Sequence, residues 1–161
     1  MAEVVVEAAA SAEDLDDVRA LFREYAAWLQ VDYCLKDFEA ELADLPGAYA
    51  PPAGGLWLAR VDGAPAGVVG VWPLEGGACE MKRLWVREAY RGLGLGRRLA
   101  EAASAGARAG GQRQMVLETL DFMAAARALY GELGFRAVPP EAGTPEGVRR
   151  LVCDLSALAS A

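Results

Sequence analysis

The stretch RGLGLGRR at residues 91–98 places three glycines at alternate positions between arginines. It follows a strand-like segment at residues 79–86 and leads directly into an amphipathic helical pattern. Glycine lets backbone amides approach a ligand without a Cβ atom in the way. A helix start adds unpaired N–H groups and the positive end of its dipole, and arginines donate charge-assisted hydrogen bonds to phosphate. The stretch therefore predicts a pyrophosphate site for a nucleotide-like cofactor.

Other phosphate-binding motifs fit this stretch less well. A dinucleotide fingerprint, G-x-G-x-x-G, would use Gly92 and Gly94, but Arg97 takes the third glycine position, where the helix must pack closely on a strand. A P-loop needs Gly-Lys followed by Ser or Thr, which this chain lacks. A Rossmann-like domain stays open as an alternative, with Glu118 as its ribose-binding acid. A purely structural turn with solvated arginines is the other alternative.

Length and composition indicate one compact domain over residues 1–161. The chain has 54% hydrophobic and 24% charged residues, which is typical of a folded globular protein. We expect a cytoplasmic protein without a membrane span or secretory signal, because no apolar run is long enough and the start lacks a basic region. Cys34, Cys79 and Cys153 are widely spaced and odd in number, so neither a disulfide framework nor a zinc site is expected.

The net charge of −7 argues against a nucleic-acid partner, since such binding requires a basic face. The charge mildly favours a cationic small substrate. The chain contains no histidine, which excludes Ser-His-Asp triads, Cys-His pairs and histidine-ligated metals. Any acid–base chemistry must use Glu, Asp, Tyr, Cys, Lys or water. Without a histidine to activate it, Cys79 is expected to be a buried apolar residue rather than a nucleophile.

Periodicity predicts ten elements in the order β-α-α-β-β-β-α-β-α-β. Strands are expected at residues 4–6, 56–61, 66–72, 79–86, 114–120 and 148–154. Helices are expected up to about residue 29 from a cap at Ser11, over 38–45, after residue 94 and over 122–133. This order predicts an α/β (α+β) fold with a mixed, mainly antiparallel central sheet flanked by helices.

The buried stripe of the helix after residue 94 is expected to be Leu95, Leu99, Ala102, Ala103 and Gly106. The stripe of the last helix is expected to be Phe122, Ala126, Leu129 and Leu133, with Tyr130 beside it.

Two motifs in this order resemble the GNAT N-acetyltransferase superfamily. The pattern Arg-x-x-Gly-x-Gly, formed by Arg91, Gly94 and Gly96, is similar to the acetyl-coenzyme A loop of that family. Downstream, ARALYGELGF at residues 126–135 is similar to its Leu-Tyr…Gly-Phe signature. The resemblance covers roughly residues 55–138 and implies the acyl-CoA N-acyltransferase fold and acetyl-CoA as the acyl donor.

The resemblance also implies which residues hold the cofactor. Backbone amides across the glycine stretch would bind the pyrophosphate, and the pantetheine arm would lie along the preceding strand like an added strand. The strand must then be left unpaired there by a splayed neighbour. The expected cofactor-binding residues are Leu84, Trp85, Val86, Arg91, Gly92, Leu93, Gly94, Leu95, Gly96 and Arg97.

Three residues are candidates for the chemistry of transfer. Tyr130 matches the position of the family's tyrosine near the coenzyme sulfur, and it would protonate the leaving thiolate; the alternative is a packing aromatic. Glu80 is the first candidate for the base, although a strand charge paired with Lys82 or Arg83 is equally expected. Glu118, on the next strand, ranks second and is otherwise expected to orient substrate or to bond with Thr119.

Strand alternation predicts that the candidate base shares a face with part of the cofactor strand, barring a bulge. One face would carry Glu80, Lys82, Leu84 and Val86, and the other Cys79, Met81, Arg83 and Trp85. The tryptophans and Tyr25 are expected to be mostly core residues, with an acceptor pocket as the alternative.

The chain departs from the family pattern at two places. Met123 stands where many members have an asparagine. Residues 139–147 contain no aromatic side chain, although the corresponding loop often helps to close the acceptor site. We therefore expect a pocket that is open, or completed by residues 25–33 or by a second subunit.

These observations predict transfer of an acetyl group from acetyl-CoA to a primary amine of a small molecule or peptide, by direct attack in a ternary complex without a metal. The alternative is a non-catalytic acyl-CoA-binding sensor or docking module. A homodimer is left open, and the sequence does not select among acceptor amines.

Overall fold

A computed structural model of the chain describes residues 2–29, 35, 37–121 and 123–157. Seven strands form one sheet in the order β1-β2-β3-β4-β5-β7-β6. The strands are β1 (Val4–Ala8), β2 (Gly55–Val61), β3 (Ala64–Pro73), β4 (Ala78–Val86), β5 (Gln114–Leu120), β6 (Arg136–Val138) and β7 (Val148–Asp154). The helices are α1 (Ala12–Leu29), α2 (Phe38–Ala43), α3 (Leu95–Ala109) and α4 (Ala124–Glu132).

The sheet is mixed and mainly antiparallel, which confirms the predicted fold class. The pair β4 and β5 is parallel, and the other neighbouring strands are antiparallel. Strand β6 was not predicted; it is three residues long and pairs with β7 at the edge of the sheet. Helix α2 ends at Ala43, two residues before its predicted end.

Helices cover both faces of the sheet. On one face, α3 and α4 enclose a core that includes Leu99, Met115 and Leu117. On the other face, α1 and α2 enclose a second core around Phe22 and Leu42. We call these the α3/α4 face and the α1/α2 face.

The helical stripes were predicted in part. In α3 the predicted Leu95, Leu99 and Ala103 are buried, whereas Ala102 is only half-buried. In α4 the buried residue is Tyr130 itself, so the expectation that it lies beside the core stripe is wrong. The predicted stripe residue Phe122 lies outside the described residues.

A β-bulge in β4 changes which side chains share a face. Pairing between β3 and β4 shifts between Val68 and Gly70, so that Arg83 and Leu84 together lie opposite one β3 residue. Arg83 has a left-handed backbone, with φ of 63°. The extra residue reverses the alternation for the remainder of the strand.

The predicted alternation is therefore wrong beyond Lys82. Glu80 lies opposite Trp72, on the α1/α2 face, whereas Leu84 and Val86 pack against the core of the α3/α4 face. Trp85 packs on the α1/α2 face. The two sections of β4 thus present their side chains in opposite phase.

A buried ion pair holds the bulge. Arg83 Nε and Nη2 donate to the two carboxylate oxygens of Glu41 in α2, each at 3.0 Å. The side chains are 3% and 8% exposed. The hydroxyl of Tyr49 donates to the same carboxylate at 2.8 Å, and burial raises the pKa of that phenol. A bidentate, doubly hydrogen-bonded pair of this kind fixes orientation strongly.

Among the described residues, no helix is both long enough and apolar enough to cross a membrane.

Replacing Glu41 with Gln should destabilise the fold, because the Arg83 guanidinium would stay buried without its counter-charge. Breaking a buried pair from one side costs about 3 kcal/mol. The matched control is Glu39→Gln, two residues before Glu41 in the chain. It removes the ion pair between Arg23 and Glu39, whose side chains are 57% and 71% exposed, and should lower the free energy of unfolding by less than about 1 kcal/mol. Urea unfolding measures both variants. Equal costs would contradict the assignment of Arg83–Glu41 as the anchor of the bulge.

Candidate active site

A cleft of about 1060 Å³ opens where β4 and β5 diverge. Among the described residues, the parallel pairing joins residues 78–80 of β4 to residues 114–116 of β5 and extends no further. Beyond that point the edge of β4 that faces β5 borders the cleft. The sequence-based expectation of a splayed neighbour beside this strand is therefore confirmed.

The cleft brings together all but one of the predicted site residues. Leu93 does not line it and is 50% exposed at the surface. The predicted residues that line the cleft are Glu80, Leu84, Trp85, Val86, Arg91, Gly92, Gly94, Leu95, Gly96, Arg97, Glu118 and Tyr130. Their roles remain predictions.

One end of the cleft has the geometry of an anion site. Gly92 and Gly94 have φ of 86° and 75°, and a Cβ added to either would meet open space. Gly94 is the N-cap of α3, and no side chain caps that helix start. The first-turn amides therefore point outward with the positive end of the helix dipole, as a pyrophosphate requires.

The two cleft arginines beside this end have partners within the protein. Arg97 donates from Nη2 to Glu132 of α4, an ion pair that bridges the two helices. Arg91 donates from Nε to the carbonyl of Val86 at 3.1 Å, and its guanidinium lies 5.0 Å from the ring centroid of Trp85. Each hydrogen bond uses one nitrogen of a guanidinium that carries five N–H donors, so either arginine can bind a phosphate while it keeps its present partner.

Beside the cleft, β4 offers a backbone edge for an extended ligand. Leu84 and Val86 anchor this part of the strand by packing into the core of the α3/α4 face. The Val86 carbonyl is already an acceptor for Arg91. A pantetheine arm, which carries two amides, would pair with such an edge as an added strand does.

Tyr130 approaches the cleft from the α3/α4 face. Its ring packs against Phe135 at 5.8 Å between centroids, in an edge-to-face arrangement. Its side chain is largely buried, and burial raises the pKa of the phenol, with a further contribution from Tyr25. None of the described residues hydrogen-bonds to its hydroxyl. Tyr130 is thus a neutral donor that is held in place by its ring.

Glu80 approaches from the opposite face. The expectation that it pairs with Lys82 or Arg83 is wrong, because within the described part of the chain it forms no hydrogen bond or salt bridge. Burial raises the pKa of its carboxyl; the charge of Lys82 opposes this, and the charge of Glu118 adds to it. A carboxylate with a raised pKa is a stronger base than an ordinary glutamate.

Glu118 lies on the same face of the sheet as Glu80. Val116 is the register partner of Glu80, and Glu118 follows it two residues later along β5. Across the sheet, Glu118 lies opposite Arg150 of β7. Among the described residues, the predicted bond between Glu118 and Thr119 is not formed. The Thr119 hydroxyl instead lies 3.5 Å from Sδ of Met123, the residue that stands where many family members have an asparagine.

The tryptophans and Tyr25 pack mostly against the core, as expected: Trp57, Trp72, Trp85 and Tyr25 each contact a buried cluster, and Trp28 is the exception. Tyr25, Trp28 and Trp85 form a cluster with ring centroids 5.5–6.4 Å apart, and all three line the cleft. Trp28 is 47% exposed. Residues 139–147 do not line the cleft, as expected. Within the predicted closing segment 25–33, α1 supplies Tyr25 and Trp28, and residues 30–33 lie outside the described residues.

Neither cysteine among the described residues lines the cleft. Cys79 is fully buried on the α3/α4 face, and burial raises the pKa of its thiol to about 12. Cys153 is also buried, and Cys34 lies outside the described residues. The expectation that Cys79 is a packing residue is confirmed.

The sequence is similar to those of known acetyltransferases. Residues 15–135 match the acetyltransferase (GNAT) family. An uncharacterized N-acetyltransferase of Schizosaccharomyces pombe is 39% identical over 130 residues, with 80% of each chain covered. One of Escherichia coli is 32% identical over 124 residues, covering 75% of this chain and 73% of its own.

A solved structure has the same fold. The N-acetyltransferase of Thermoplasma acidophilum in complex with coenzyme A has a TM-score of 0.72 and 15% identity, and the match covers 94% of this chain and 99% of the other. The chain belongs to the GNAT family of acetyltransferases.

Proposed function

We propose that this acetyltransferase transfers an acetyl group from acetyl-CoA to a primary amine of a small molecule or peptide, by direct attack in a ternary complex. The observation that supports this most is the cleft itself. Its lining combines an uncapped glycine helix start with two candidate proton-transfer groups, Tyr130 and Glu80, that come from opposite faces of the sheet. A binding module would have no need for such a pair.

The donor fits the cleft from end to end. The amides of residues 92–97 would bind its pyrophosphate, and the free edge of β4 would pair with its pantetheine arm. The thioester would then lie between β4 and α4, near Tyr130. When bound, the thioester supplies an activated acyl carbon; the protein supplies position and proton transfer.

Glu80 would remove the proton that an acceptor ammonium must lose. An alkylammonium has a pKa of about 10.4, so deprotonation near pH 7 costs about 4.6 kcal/mol. The carboxylate accepts this proton directly or through water, and the neutral nitrogen attacks the acyl carbon. Glu118 is the alternative base on the same face of the sheet.

Tyr130 would complete the transfer on the other face. As the C–S bond breaks, the sulfur gains charge, and the Tyr130 hydroxyl donates a hydrogen bond and then a proton to it. Its raised pKa keeps the phenol protonated until that moment. The second proton that the attacking nitrogen must lose returns through water to the Tyr130 oxygen, which restores the phenol. A hydrogen bond that strengthens in the transition state accelerates the chemical step without tightening donor binding.

The remaining alternative, an acyl-CoA-binding module without catalysis, predicts donor binding with no turnover. Its support is that the cleft holds no histidine and that Glu118 and Glu80 share the candidate role of base. Measuring thiol release from acetyl-CoA with a panel of amines separates the two proposals.

Replacing Tyr130 with Phe should lower kcat about 100-fold and leave KM for acetyl-CoA nearly unchanged. The ring and its contact with Phe135 remain, so the melting temperature should not move. Steady-state thiol release and thermal unfolding measure these quantities. A wild-type kcat would remove Tyr130 from the mechanism.

Replacing Glu80 with Gln should lower turnover about 100-fold and abolish the rise of kcat/KM with pH through the raised pKa of Glu80. The native state holds the Glu80 proton more tightly than the unfolded chain does, so stability falls as pH rises from the unfolded pKa through the raised native one. The variant should therefore be at least as stable as the wild type at neutral pH.

Glu75→Gln, in an exposed turn outside the cleft, is the control and should change neither property. Glu118→Gln tests the alternative. A larger loss in Glu118→Gln than in Glu80→Gln would transfer the role of base to Glu118.

A further inference from the structure

We infer that the preferred acceptor is a monocationic arylalkylamine, meaning a primary amine with one aromatic ring and no carboxylate. This inference rests on the proposed function and names its substrate class. It follows from the shape and the charges of the α1/α2 side of the cleft.

The α1/α2 side of the cleft has an aromatic wall. The ring centroid of Trp28 lies 5.5 Å from that of Trp85 and 6.4 Å from that of Tyr25, in tilted arrangements. Trp28 belongs to α1 and keeps 47% of its surface exposed, although most large apolar side chains of this chain are buried. An exposed indole in a cleft favours an apolar planar group, because ring pairs gain more than the burial of their area.

The cations on this side of the cleft already have counter-charges. Arg83 is bound to Glu41 by two hydrogen bonds. Lys82 Nζ lies 4.0 Å from an oxygen of the same carboxylate. Arg150 lies 3.5 Å from Glu141. A carboxylate on the acceptor would have to displace one of these contacts, so a zwitterionic amino acid fits poorly.

One carboxylate on this side has no ion-pair contact. Glu80 forms no hydrogen bond or salt bridge within the described residues and is half-buried, although the charges of Lys82, Arg83 and Arg150 act on it from a distance. Glu118 lies opposite Arg150 in the register of β5 and β7. One ammonium group would give Glu80 a direct partner, whereas the second ammonium of a diamine would have to compete with Arg150 for Glu118. The site is therefore matched to a single positive charge on an apolar body.

Four acceptors test this inference: n-butylamine and phenylalanine each differ from 2-phenylethylamine in one feature, and 1,4-diaminobutane differs from n-butylamine in one feature. They are 2-phenylethylamine, n-butylamine without the ring, phenylalanine with an added carboxylate, and 1,4-diaminobutane with a second ammonium. The measured quantity is kcat/KM for thiol release at saturating acetyl-CoA. We expect 2-phenylethylamine to exceed each of the other three by about tenfold or more.

The variant Trp28→Ala tests whether the aromatic ring of the acceptor packs against Trp28. It should lower kcat/KM for 2-phenylethylamine about tenfold and change that for n-butylamine by less than about twofold, and Trp28→Phe should restore most of the loss. Leu74→Ala is the control, because Leu74 is 40% exposed and does not line the cleft. It should leave both values unchanged.

Each outcome has one meaning. Preference for phenylalanine, n-butylamine or the diamine, or equal loss of both monoamines in Trp28→Ala, would overturn the inference and leave the proposed function standing. No turnover of any of the four, with acetyl-CoA still bound, would also overturn the inference. Absence of acetyl-CoA binding, measured by calorimetry, would overturn the proposed function itself.

Discussion

The ion pair between Arg83 and Glu41 is the contact on which the site depends. It holds a left-handed residue in the middle of a strand, where a non-glycine side chain is costly unless its surroundings fix it. The bulge that results turns Leu84 and Val86 toward the α3/α4 core. It leaves Trp85 on the other face, and a little before this point β4 ends its pairing with β5. One buried ion pair between α2 and β4 thus accompanies both the reversal of side-chain alternation in β4 and the opening between β4 and β5.

That opening explains why the proposed proton donor and base come from opposite sides of the sheet. Tyr130 reaches the cleft from α4, whereas Glu80 reaches it from the α1/α2 face of β4. Burial raises the pKa of both Tyr130 and Glu80. The raised pKa keeps the Tyr130 hydroxyl protonated, so that it can donate a hydrogen bond, and makes the Glu80 carboxylate a stronger base. A half-buried carboxylate without an ion pair costs stability. Such a cost is common where a site is prepared for a charged substrate.

The sequence was sufficient for what depends on local pattern. Glycine spacing at residues 91–98 predicted the uncapped helix start, and periodicity predicted most elements closely, including β7 with the same bounds. The sequence was insufficient where interacting residues are far apart in the chain. Glu41 lies 42 residues from Arg83, so the residues near Arg83 did not predict a bulge. Strand β6 has too few residues to show alternation. Trp28 lies in an apolar run of α1 at residues 25–29, and the sequence does not tell which side chain of that run stays exposed.

We propose that the glycine helix start and the free edge of β4 form one binding site for a coenzyme A donor. Hydrogen exchange of the backbone amides, measured with and without coenzyme A, tests whether both segments bind the donor. We expect coenzyme A to slow exchange in two separate segments, residues 92–97 and residues 81–86. In Gly94→Glu we expect no such change, because the new side chain would occupy the open space at that glycine. Protection that is absent from both segments, or unchanged by Gly94→Glu, would contradict the proposal.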